Sequence, residues 1–265
     1  MSNLPAGLPR EPLLRFILAM ADDELMLGHR NSEWTGHSPI LEEDIAFSNI
    51  AQDELGHSLV WYMLHEEFTG KSPDSMAFER GWQDFSCCRF VTYPRGDFAY
   101  TVVRQYLFDE AEYVRLSSFG RSSFPAFKDI AGKLLREEAY HLMHLRGLVT
   151  RLGDATDESR RRMQAALDAA FPQALGIFEK LEGEDALVAA SVFPGNDVLQ
   201  REWLQRVVPV LASASLKPPV NTQNGTSSIN CTPDLGGRQG KHMEHLDRLV
   251  DDLQLVYRIA PGAKW

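Results

Sequence analysis

The sequence predicts an all-α protein: a four-helix bundle over about residues 11–152, followed by a helical extension over about 155–265, together forming a single domain. Two observations carry that expectation. Apolar residues recur at helical spacing through four long segments, and one polar pattern appears twice along them. A lone glutamate, Glu24, precedes Glu54-Leu55-Gly56-His57, and a second, Glu110, precedes Glu138-Ala139-Tyr140-His141. The separations of 30 residues between Glu24 and Glu54 and 28 between Glu110 and Glu138 each fit an antiparallel hairpin. At a rise of about 1.5 Å per residue, roughly 12 residues out and 12 back return the chain to the same level.

The elements follow in order. The first helix, over 11–31, places Ile17, Met20, Ala21, Leu27 and Gly28 on the face of Glu24. A loop with Trp34, Gly36, His37 and Pro39 leads into a second helix over 41–69, where Phe47, Ile50, Trp61 and Leu64 surround Glu54 and His57. Gly70 and Pro73 end it. Residues 71–95, with Pro73, Gly81 and Pro94, read as a long irregular crossover with room for one short helix. A crossover between the second and third helices is the connection of ferritin-like bundles. In the third helix, about 97–120, Glu110 shares a face with Val103, Tyr106, Leu107, Tyr113 and Val114, whereas Glu112 falls with Asp109 and Arg115 on a stripe expected to be more solvated. In the fourth, about 125–152, Glu138 lines up with Ala131, Leu134, Leu135, His141, Leu142 and Leu145, and Glu137 turns outward toward Lys133. Further helices are expected near 157–182, with a kink at Pro172, near 196–214 and near 240–258. Residues 217–240, rich in Pro, Asn, Thr, Ser and Gly, read as an exposed loop.

Two lone glutamates and two Glu-x-x-His pairs are the ligand pattern of a carboxylate-bridged di-iron site, because positions i and i+3 share a helix face. Composition alone would give about 0.6 Glu-x-x-His pairs by chance, so the inward register of all four elements adds to the two found. Burying four carboxylates calls for a metal or a dense set of partners, and lysine and arginine are scarce on these faces. The expected ligands are therefore Glu24, Glu54, His57, Glu110, Glu138 and His141, holding two iron ions, with manganese as the alternative metal. Asp53, Asp109, Tyr106 and Tyr113 are candidates to support them. Among the remaining groups, His242 and His245 in Lys241-His242-Met243-Glu244-His245 are assigned structural or partner contacts rather than a cation. His37 beside Trp34 is assigned to the turn, with a substrate gate as the sharper alternative, and His144 is left between surface and site. There is no Gly-x-Ser-x-Gly and no Gly-rich phosphate loop.

A formal charge of −10 without a basic run leaves no electrostatic footprint for nucleic acid. Three cysteines, Cys87, Cys88 and Cys231, build no disulfide framework, and an N-terminus with Pro5, Pro9, Arg10 and Pro12 offers no signal peptide. A soluble cytoplasmic protein without a membrane span is expected.

The stretches Ser32-Glu33-Trp34-Thr35-Gly36-His37-Ser38-Pro39, Asn49 through His57, Arg104 through Asp109, Glu138 through Leu142, Arg151-Leu152-Gly153, His242 through Leu246 and Pro261 through Trp265 resemble the C-type subunit family of the multicomponent phenylacetyl-CoA 1,2-epoxidase. The likeness runs nearly end to end, with residues 217–232 as an insertion. It implies a ferritin-like subunit of a bacterial oxygenase in aromatic catabolism, which inserts one atom of O₂ into the ring of an aromatic acyl-CoA. The implied partners are a homologous A-type oxygenase subunit and a flavin and iron–sulfur reductase. In that family the working di-iron centre belongs to the A-type subunit, and C-type members have lost most ligands. All six are present here, a departure that sets a metal-binding catalytic component, alone as a homodimer or within the complex, against a metal-poor scaffold. A ferroxidase or manganese-catalase-like protein is the third reading.

Overall fold

In the computed structural model, residues 7–223, 226–261 and 263 are described; Pro5, Asn224, Gly225, Gly262, Lys264 and Trp265 lie outside them. The described residues contain nine α-helices and one two-stranded antiparallel sheet, so the all-α expectation holds. The long helices fall within a residue or two of their expected limits: α1 is Arg10–Ser32, α2 Leu41–Thr69, α4 Phe98–Ser118 and α5 Pro125–Asp154. Between α2 and α4 the crossover holds α3, Pro73–Phe78, and two short 3₁₀ turns. Beyond α5 come α6, Asp157–Ala174, α7, Glu184–Ala189, α8, Asn196–Ser213, and α9, Glu244–Ile259.

The boundaries have local causes. Gly70 takes a left-handed conformation (φ 73°) and its N–H reaches Glu66 O, closing α2. Ser72 caps α3 ahead of Pro73, and the Asp97 carboxylate accepts from Tyr100 N at 2.9 Å to start α4. Thr156 and Ser159 form a capping box at the start of α6. Pro172 sits in the last turn of α6, which passes into a 3₁₀ turn at Leu175–Phe178. The carbonyl of Pro172 accepts from Asp234 N at 3.0 Å.

Two expectations change. Residues 217–240 contain a β-hairpin, β1 (Val220–Gln223) with β2 (Thr226–Ile229), in which Val220 pairs with Ile229. Val220 and Ile229 are the apolar residues of its two strands, too few to show a period, which is why composition read as loop. Helix α7 was also unforeseen, since six residues are too few to show a period.

The chain divides into two compact units. The first comprises Met1–Pro94, Leu181–Gly183 and Gly236–Trp265, and the second Arg95–Lys180 and Glu184–Leu235. Helix α9 falls with α1–α3 in the first unit, and helices α6–α8 fall with α4 and α5 in the second. Each unit is built on one long antiparallel hairpin, the element that ferritin-like folds repeat. In the first, Gly28 lets α1 approach α2 closely, since a Cβ there would lie 3.1 Å from Ala51 O, Glu54 Cβ and Leu55 Cγ. In the second, Gly153 at the end of α5 lies under Ala214, whose carbonyl oxygen would be 2.3 Å from an added Cβ.

Candidate metal centre

The first unit brings Glu24 of α1 to Glu54 and His57 of α2, all at most 2% exposed. His57 Nδ1 lies 4.0 Å from Glu24 Oε2 and 3.8 Å from Glu54 Oε2, and one ligand atom from each of the three falls within 4.8 Å of the others. These separations exceed a hydrogen bond. They suit donors that each stand about 2 Å from one shared cation. Two carboxylates and an imidazole are a donor set for iron, manganese or zinc, so the residues fit a divalent metal.

What aims Glu24 is a pair of neighbours that the sequence reading passed over. Asp22 accepts from Tyr62 Oη at 2.6 Å, Arg80 Nη1 at 3.1 Å and Ser86 N at 2.7 Å. Asp23 accepts from Cys88 N at 2.7 Å and Arg238 Nη1 at 2.9 Å. Consecutive carboxylates thus clamp α1 to the crossover and to the segment before α9 within this unit. Burial, and then the Asp22 charge, push the Tyr62 phenol well above its ordinary range. Burial and the same aspartates push up the Cys87 thiol, so this cysteine is a packed, unreactive group. Three consecutive acids within an otherwise apolar run of α1, residues 16–28, were the available signal.

In the second unit, Glu138 and His141 of α5 are 1% and 4% exposed, with His141 Nδ1 3.8 Å from Glu138 Oε1. Glu137, which the register placed outside, is half-buried, less enclosed than Glu138. Glu110 has a different environment. Its carboxylate is fully buried, and Oε1 accepts from Arg146 Nε at 2.6 Å while Oε2 accepts from Arg206 Nε at 2.7 Å. The guanidinium of Arg206 also lies over the Tyr113 ring, 4.4 Å from its centroid. Glu110 joins no cluster of three metal-ligating groups among the described residues.

This corrects the expectation that arginine and lysine are scarce beside the inward glutamates. Arg146 was visible on α5 five residues after His141; Arg206 had no local signal, being 96 residues from Glu110. A second correction concerns Glu112, Asp109 and Arg115, which are 1%, 0% and 1% exposed rather than solvated. Helix α4 is enclosed on nearly every side, so its third polar stripe is neutralised internally: Glu112 pairs with Arg115 and Asp109 accepts from Gln105 Nε2 at 2.6 Å.

The supporting candidates separate. Tyr106 is wholly buried, and burial, then Glu110, raise its phenol far above the ordinary value. Asp53 is half-buried on α2. Of the other histidines, His242 Nε2 donates to Phe85 O at 2.7 Å, His245 packs 5.5 Å from Tyr93, and exposed His37 contacts Gly36 O. His144 is half-buried. No described helix is long and apolar enough to cross a membrane.

Comparison with known proteins fits this arrangement. The family model described as "Phenylacetic acid catabolic protein" matches residues 5–265. The chain belongs to that family. It is 32% identical over 254 residues to the C-type subunit of the 1,2-phenylacetyl-CoA epoxidase of Escherichia coli (strain K12), covering 96% of this chain and 99% of that one. The family spans both units, so the duplicated Glu-x-x-His pattern lies wholly within the matched region.

Proposed function

We propose that the chain is a metal-binding component of a multicomponent oxygenase of the phenylacetyl-CoA epoxidase type, acting on an aromatic CoA thioester in the cytoplasm. It works with a homologous oxygenase subunit and a flavin and iron–sulfur reductase. The observation that carries the reading is the buried cluster of Glu24, Glu54 and His57 in a chain matched end to end by the family. Those three residues hold the metal, for which iron is the expected identity, and a bound iron supplies O₂ activation. The residues around them exclude water: Trp61 and Phe47 on α2 and Met20 and Leu27 on α1 are at most 3% exposed. Asp22 and Asp23 hold α1 in rotation, and Gly28 sets the spacing of the two helices, so Glu24 is presented to Glu54 and His57.

The sequence expectation of two irons also needs Glu110, whose two oxygens are engaged by arginines. That observation favours the second reading, a scaffold for the homologous subunit. Metal analysis of the purified chain after anaerobic Fe(II) loading distinguishes them. About one ion per chain, lost in Glu54→Gln, supports the metal-binding component. Under about 0.2 ion per chain in the unsubstituted protein, with turnover of the reconstituted complex unchanged in Glu54→Gln, leaves the scaffold.

A further inference from the structure

Glu110 sits in the sequence where a second bridging ligand is expected, yet it is enclosed by cations that this chain supplies itself. Arg146 comes from the same helix as Glu138 and His141, and Arg206 from α8. Each oxygen of the carboxylate is committed to one of them, at 2.6 and 2.7 Å, the lengths of charge-assisted bonds. One of the two is itself held. Arg206 rests on the Tyr113 ring, and α8 is tied to α4 by the Trp203 indole, which donates to Leu107 O at 2.9 Å. The side chains of Arg146 and Arg206 are 40% and 32% exposed while Glu110 is wholly buried, so they stand on the solvent side of the carboxylate.

We propose that Arg146 and Arg206 stand in for a second metal ion, so that Glu110 is not a ligand and the chain holds a single ion. This rests on the reading of Glu24, Glu54 and His57 as the site of that ion. Two guanidiniums carry the same charge as one divalent cation, so the buried carboxylate is neutralised without a metal. They also repel any cation that approaches it. A planar guanidinium cannot deprotonate to make way, in contrast to a ligand histidine, and it matches a carboxylate better than a lysine would.

The test compares the unsubstituted full chain with Arg146→Gln/Arg206→Gln, each loaded with Mn(II) and desalted, by metal analysis and by electron paramagnetic resonance. The unsubstituted chain is expected to keep one ion with the spectrum of an isolated Mn(II). The double variant should gain about one more ion and show magnetic coupling or a second signal. Two ions in the unsubstituted chain overturn the proposal, as does a double variant with no gain. No ion in the unsubstituted chain and one in the double variant upholds the exclusion by the arginines while sinking the Glu24–Glu54–His57 site. Should the double variant not fold, crystals of the unsubstituted protein soaked in Mn(II) decide through anomalous scattering. A peak within bonding distance of Glu110 overturns the proposal; Glu110 still bound by both arginines, with no peak beside it, upholds it.

Discussion

The two hairpins carry the same motif and meet its electrostatic demand in different ways. On α1 and α2, Glu24, Glu54 and His57 face one another at separations longer than hydrogen bonds. On α4, the equivalent lone glutamate is closed off by two arginines. Duplication of a sequence pattern therefore does not duplicate the surroundings of its lone glutamate. What decides is whether another part of the same unit delivers a guanidinium, and in the second unit α8 does.

This difference has a sign that stability can read. Glu110→Gln leaves Arg146 and Arg206 around a neutral amide in a buried setting, and is expected to destabilise the second unit by about 3–5 kcal/mol in denaturant unfolding. An effect below about 1 kcal/mol would mean that the arginines are not committed to the carboxylate. Next in size is Gly28→Ala. With contacts at 3.1 Å to backbone and side chain of α2, it should cost about 1–3 kcal/mol and weaken metal affinity about tenfold, measured by competitive chelation. Unchanged affinity would separate helix spacing from ligand geometry.

Glu54→Gln should act in the opposite direction from Glu110→Gln. In metal-free protein it removes one of two carboxylates from a buried cluster, and a gain of about 1 kcal/mol is expected by thermal unfolding, alongside loss of metal. A large loss of stability instead would make Glu54 a structural ion-pair partner like Glu110. The smallest effect concerns acid. Burial lowers the pKa of His29, His65 and His242, all in the first unit. A histidine depressed in the folded state contributes stability that is present above its ordinary pKa of 6.5 and is lost as pH falls from there toward the folded value. Hydrogen exchange should therefore show the first unit opening preferentially as pH falls below 6.5, less steeply in His242→Gln. Equal loosening of both units would dissociate that slope from these histidines.

Much of the skeleton was legible because long helices repeat their apolar period many times, which fixed α1, α2, α4 and α5 and chose Glu138 over Glu137. The choice of Glu110 over Glu112 named a residue on the expected helix but misjudged its surroundings. Periodicity describes one exposed and one buried face, and α4 has no exposed face to speak of, so Glu112 and Arg115 are buried with it. Partners supplied from far along the chain, Arg206 for Glu110 and Arg238 for Asp23, leave no local trace. The hairpin at residues 220–229 was hidden for a third reason: composition records polarity, whereas its pairing rests on backbone bonds.

Gly28 offers a way to sort relatives that have never been purified. The missing methyl sets how near one helix axis comes to the next at the level of Glu54, so a chain carrying serine or a larger residue at that position must splay its first hairpin even with every ligand retained. Reading that one letter together with the letters at 146 and 206 would show which of the family's sequences share this hairpin spacing and this pair of arginines.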